Sequence, residues 1–304
     1  MAEAVKSPMS GAGSGPGLVD YGLLLFLASL WGASFILIKT GVEAIAPATM
    51  TAMRLVFAAA AMWFALAVTG ARLPVDARSW RFIIIVALLG TLLPFFLISW
   101  GQQDIPTGMT AILMGVMPLT TMLIAHYALG DDRLTRWKAC GIAFGFAGLV
   151  TLIGPSVLSK LGDQVWSQLA IMGAATCYGA SAVLMRRMMA PHVSQIGLAT
   201  GIMSVAAVVM VALAWTIDGA PVAIPTGTPL WAIACLGIVQ TGFAQIILFQ
   251  LVARQGPSFF SQINFLVPFL GVAWGAAIFG ERLPVSSFAA LALILAGLAV
   301  SRRR

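Results

Sequence analysis

Charge is scarce in this chain. Asp, Glu, Lys and Arg make up only 9% of its 304 residues, whereas a soluble domain carries about 25%. That shortage argues against a soluble enzyme. Histidine is nearly missing: His126 and His192 are the two in the chain. No predicted helix presents a His-Glu-x-x-His metal site, a Ser/His/Asp set or a paired carboxylate, so no membrane enzyme of those kinds is written here. The three cysteines, Cys140, Cys177 and Cys235, lie inside apolar runs at no metal-ligand spacing, and read as small buried residues. No Gly-x-x-x-x-Gly-Lys-Ser/Thr loop is present, which removes an ATP-driven pump. No motif asks for a metal or another cofactor. A receptor would want a soluble output domain, for which no length remains.

Apolar residues fill 60% of the chain, with 31 glycines spread through them. A helix crossing a bilayer takes about 20 apolar residues, so a chain of this length with short loops holds about ten. The breaks give spans at 21–41, 47–69, 80–101, 106–129, 135–154, 165–187, 195–216, 229–252, 257–279 and 284–301. Pro47, Pro106, Pro257 and Pro284 stand where a helix would begin, because the first turn has no use for the missing N–H. The expected fold is an all-α integral membrane protein of ten transmembrane helices.

Orientation follows from the basic residues. With the N-terminus inside, thirteen Lys and Arg fall on the cytoplasmic side and three, Lys39, Lys160 and Arg282, outside. Both termini are then cytoplasmic. Residues 1–18 read as a flexible cytoplasmic tail without a cleaved leader, and Arg302–Arg304 as a basic cytoplasmic end. The charges sit in turns, so the basic balance speaks for topology and not for nucleic acid.

The chain also repeats itself. Trp31-Gly32-Ala33-Ser34 matches Tyr178-Gly179-Ala180-Ser181, at an offset of 147 that also pairs Lys39 with Arg186. Pro118 matches Pro268 and Gly130 matches Gly280, at an offset of 150. Ala147-Gly148-Leu149 matches Ala296-Gly297-Leu298. The units are residues 20–155 and 165–301. Five spans each is an odd number, so the second unit crosses upside down. Two such units exchanging conformations open a shared cavity to either side in turn.

On these residues the chain resembles the EamA-type members of the drug/metabolite transporter superfamily. The likeness rests on Trp31-Gly32 with Lys39, Arg54-Leu55, Pro118 and Gly280-Glu281-Arg282-Leu283. Asp131-Asp132 stands where the family has Gly-Glu. The resemblance implies transport, in or out, of amino acids, other metabolites or drug-like compounds; the expected function is a secondary transporter in the bacterial inner membrane that exports amino acids or related metabolites. Its partners would be a small-molecule substrate and the lipid bilayer, with the protein either a monomer or a homodimer.

Candidate site residues are the polar groups at membrane depth. Arg54 lies about 10 Å into its span, where a charge must face protein or water; it is an attractor for a substrate anion or a structural cation. Trp31, Ser34, Tyr178 and Ser181 are repeat-related and line a cavity or pack helices. Gln240, Gln245 and Asn264, with Thr241 one helical turn from Gln245, give a neutral polar lining or interhelical hydrogen bonds. Pro118 and Pro268, near the midplane, free carbonyls for gating or bend the helix. No span carries a central Asp or Glu, which favours uncoupled, gradient-driven exchange over a carboxylate proton relay.

Overall fold

The computed structural model describes residues 16–129, 135–153, 164–188, 194–219, 224–260 and 262–301; these are helical with short connections, and no strand occurs among them. Helix α1 is Leu18–Val42, α2 Pro47–Thr69, α3 Ala77–Gly101 and α4 Thr107–Ala128. Then come α5 (Arg136–Ile153), α6 (Gln164–Met188) and α7 (Gln195–Ile217). Helix α8 joins Thr228–Gly237, a π-helical stretch Ile238–Phe243, and Ala244–Phe260. Last are α9 (Ile263–Phe279) and α10 (Val285–Ser301). Seven of these helices are long and apolar enough to cross a bilayer; Leu266–Phe279 and Val285–Ser301 are shorter apolar helices. The expected sequences at Gly130–Leu134, His192 and Arg302–Arg304 lie outside the described residues.

The expected boundary between α8 and α9 was misplaced. Pro257 does not open α9: α8 runs through it to Phe260, and α9 begins at Ile263. Pro47 does sit in the first turn of α2, and Pro106 caps α4.

Carboxylates close several helix starts, where free N–H groups and the helix dipole favour negative charge. Asp76 takes the Ser79 N–H at 2.8 Å at the start of α3. That bond from the Ser79 backbone holds its carboxyl below the usual value. Asp218 at the end of α7 reaches across to the Thr49 N–H of α2 at 2.6 Å. Glu281 reaches across to α4, accepting from the Thr107 N–H at 2.7 Å and the Gly108 N–H at 2.8 Å. Helix α3 ends under Lys39, whose Nζ donates to the Gln102 and Gln103 carbonyls at 3.2 and 2.9 Å. The Glu281 and Lys39 motifs are therefore helix caps.

The largest apolar core lies between α2, α3 and α7, around Leu55, Met62, Ile83 and Met210. Helix α1 packs on α9 and α6 on α4, while α5 packs on α10. Gly141 and Gly148 of α5 lie in that last contact. A Cβ on Gly141 would stand 2.5 Å from the Gly297 carbonyl, and one on Gly148 2.9 Å from that of Ala290. These glycines let two helices of one chain approach closely.

Two helices are broken in the same way. α3 carries a π-helical stretch at Leu88–Leu92 and α8 one at Ile238–Phe243, positions that correspond at the repeat offset of 150. Pro94 follows the first stretch, but Ala244 follows the second, so proline alone does not cause them. Helix α4 breaks at Gly115–Val116, with Pro118 opening its second segment. Pro268 sits inside α9, and a Cβ on Gly115 would lie 3.5 Å from its ring.

Candidate functional site

Arg54 is the centre of the buried polar structure. It faces inward from α2, 6% exposed, between α3 and the π-helical stretch of α8. Its guanidinium carbon lies over the Phe95 ring, 3.5 Å from the centroid. Its Nε donates to the Thr241 Oγ1 at 3.2 Å. Among the described residues no carboxylate lies in salt-bridge range of it, and its two terminal amino groups have no hydrogen-bond partner. Phe95 in turn takes the edge of Tyr178 from α6, ring centroids 6.4 Å apart. Arg54, Phe95 and Tyr178 thus form a stack across α2, α3 and α6. The cation is stabilised by a ring quadrupole and one hydroxyl instead of an anion, and its planar fork is left to pair with a carboxylate or similar group.

Helix α8 reaches Arg54 because two glycines remove side chains from the contact. A Cβ on Gly237 would stand 2.5 Å from the Arg54 carbonyl, and one on Gly242 2.8 Å from the Ala61 Cβ. Trp31 joins from α1: its Nε1 donates to the Gln240 carbonyl at 3.3 Å, and its ring meets Phe260 edge-on. Gln240 is buried, and its Oε1 has no partner among the described residues.

The other expected site residues are placed less centrally. Ser34 spends its hydroxyl on its own helix, donating to the Trp31 carbonyl at 2.6 Å. Ser181 is buried where α6 meets Gly90, a residue of the α3 π-helical stretch. Gln245 is half-buried on α8, and Asn264 stands one residue into α9. Pro118 lies beside the break in α4, whereas Pro268 sits within α9, which stays α-helical through it; neither lies at Arg54. Thr241 and Gln245 do not share one environment as regular helical spacing had suggested. π winding turns Thr241 into the core, where its hydroxyl donates to Leu236 five residues back at 2.8 Å.

Phe95 is the participant that sequence reasoning missed; nothing marks it among 17 phenylalanines. A second missed feature lies at the helix ends. Asp20, buried at the start of α1, pairs with Arg254 of α8 at 3.0 Å and accepts from Gln255 Nε2 at 2.6 Å. Its counterpart at offset 147 is Ser167, and the counterpart of Arg254 at offset 150 is Asp104. Ser167 donates to Asp104 at 2.7 Å. The same kind of junction thus occurs twice, as an ion pair between α1 and α8 and as a neutral-donor hydrogen bond between the end of α3 and α6.

Comparison with known proteins places these features in a wider group. The model of the EamA-like transporter family matches residues 21–154 and again 165–303. The chain is 22% identical to "Uncharacterized transporter YoaV" of Bacillus subtilis, over 90% of this chain and 94% of that protein. It is 25% identical to "Uncharacterized inner membrane transporter YedA" of Escherichia coli, over 90% and 88%. A "Probable terminal-alkyne amino-acid exporter" of Streptantibioticus cattleyicolor is 24% identical, over 92% of each. One crystal structure of a protein superposes with a TM-score of 0.64 at 20% identity, covering 93% of this chain and 97% of that one; that likeness is one of fold.

Proposed function

The chain belongs to the EamA-like transporter family, and from that premise we propose that it is a secondary transporter of the inner membrane that exports amino acids or compounds built on them. It works by alternating access: residues 20–155 and 165–301 are inverted five-helix units around a shared central cavity, ten membrane helices in all, with both termini in the cytoplasm. Arg54, Trp31, Tyr178, Gln240, Gln245 and Asn264 face the substrate, and Pro118 and Pro268 bend where the units move. The double family match, the paired π-helical stretches and the paired end junctions support the repeat. The amino-acid reading draws support from the exporter among its relatives and from the chemistry of Arg54.

One observation carries the reading: a buried arginine over an aromatic ring, whose two amino groups meet no hydrogen-bond partner and no acid among the described residues. A structural arginine in a membrane is neutralised by an acid or by carbonyls. One left open is a receptor for an anion that arrives and leaves. The carboxylate of an amino acid fits the fork, and Gln240 Oε1 is an acceptor for its ammonium group. The test is uptake of labelled amino acids into proteoliposomes. Counterflow of at least one of them, abolished in Arg54→Leu at equal folded protein, is the expected result. Transport undiminished by that change overturns the assignment of Arg54.

A further inference from the structure

We propose that Thr241 is the positioning residue of this site and that the π winding of α8 is what puts it in place. The inference rests on the substrate role of Arg54 but concerns a different residue. Guanidinium on a flexible stem has many rotamers, and a receptor fork needs one. The Phe95 ring holds the guanidinium carbon over its face and leaves the direction of the fork free. The Nε bond to Thr241 removes that freedom.

Thr241 can accept from Arg54 only with its own proton directed elsewhere. In a regular helix a threonine hydroxyl bonds a carbonyl three or four residues back. Here it bonds Leu236, five residues back, inside the widened Ile238–Phe243 stretch. The lone pair then faces α2. Gly237 and Gly242 hold the two backbones close enough for the contact. Rewinding of this stretch to a regular helix moves the hydroxyl to a nearer carbonyl and turns its acceptor away from Arg54. Substrate affinity is thereby coupled to the winding of α8. Such wide turns recur at functional sites, and here the turn has a stated task.

The test reads Arg54 directly. In ¹⁵N-arginine-labelled protein in nanodiscs, the Arg54 Nε–Hε signal is assigned by its loss in Arg54→Lys. Thr241→Val removes both hydroxyl bonds at constant shape and should speed exchange of that Hε with water by about tenfold. Thr241→Ser should restore it to within about twofold. Thr241→Ala serves if the valine variant does not fold. With L-methionine as the transport probe, Thr241→Val should raise KM by about tenfold with kcat nearly unchanged. Unchanged Hε exchange in both Thr241→Val and Thr241→Ala overturns the proposal. If wild-type protein carries neither L-methionine nor any other labelled amino acid while exchange responds as expected, the substrate assignment fails and the positioning role stands.

Discussion

Arg54 shows how far single residues are legible. A lone charge inside an apolar run is visible in sequence, and its cost forces a specific environment. What that environment is was not legible. Phe95 comes from another helix, and aromatic stacking leaves no trace at a sequence spacing. Ser34 errs in the opposite direction: it is polar and repeat-related, yet its hydroxyl is spent on Trp31 of its own helix. Arg54→Lys keeps the charge but loses the flat fork and the stacking face. Transport per folded molecule should fall by about ten- to a hundredfold, the worth of one or two charge-assisted hydrogen bonds of roughly 1.5–3 kcal/mol. Arg54→Leu should nearly abolish transport and leave the melting temperature within a few degrees, since the burial cost goes with the charge. A large loss of melting temperature with normal transport per folded molecule would make Arg54 a scaffold residue instead.

At the scale of elements, apolar length and proline punctuation locate α1, α2, α3, α6 and α7 to within a few residues. They fail at the junction of α8 and α9. Pro257 is acceptable to the sequence as a helix start, but α8 carries it near its own end, and α9 begins at Ile263. The π-helical stretches were not legible either, because winding is decided by the packing of α3 and α8 against their neighbours. The caps make two predictions. Asp76 has its carboxyl depressed by the Ser79 N–H, so its contribution is present above the unfolded value of about 3.9 and is lost as pH falls through the lower folded value. Asp76→Asn, which still caps, should remove that acid dependence of the melting temperature and cost little at neutral pH. Glu281 serves two N–H groups of α4 with two oxygens. Glu281→Gln keeps one acceptor and should destabilise by about 1–3 kcal/mol in a denaturation series; no change in stability would show that the cap is dispensable.

For the whole molecule, the internal match was legible because it survives in order along the chain, and both units match the same family. The difference between the two end junctions was not, since Asp20 and Arg254 are 234 positions apart and meet only in the folded protein. An ion pair closes the α1–α8 end and a neutral donor the α3–α6 end; under the proposed alternating access the two ends should differ in how readily they part. Arg254 is half exposed, and such a pair is worth about 1 kcal/mol or less. Arg254→Gln should therefore bias the protein toward opening at the α1–α8 end by about two- to fivefold, with the wild-type preference weakening as salt rises.

Alternating access is the central claim, and accessibility of the interior from both sides tests it most directly. A single cysteine replaces Gln245 in a background lacking Cys140, Cys177 and Cys235, in sealed vesicles of known orientation. A membrane-impermeant polar thiol reagent is then added to one side or the other. The account predicts labelling from either side, with the cytoplasmic rate rising and the opposite rate falling when Arg254→Gln is added. Protection from both sides, or labelling from one side alone under every condition, would contradict it.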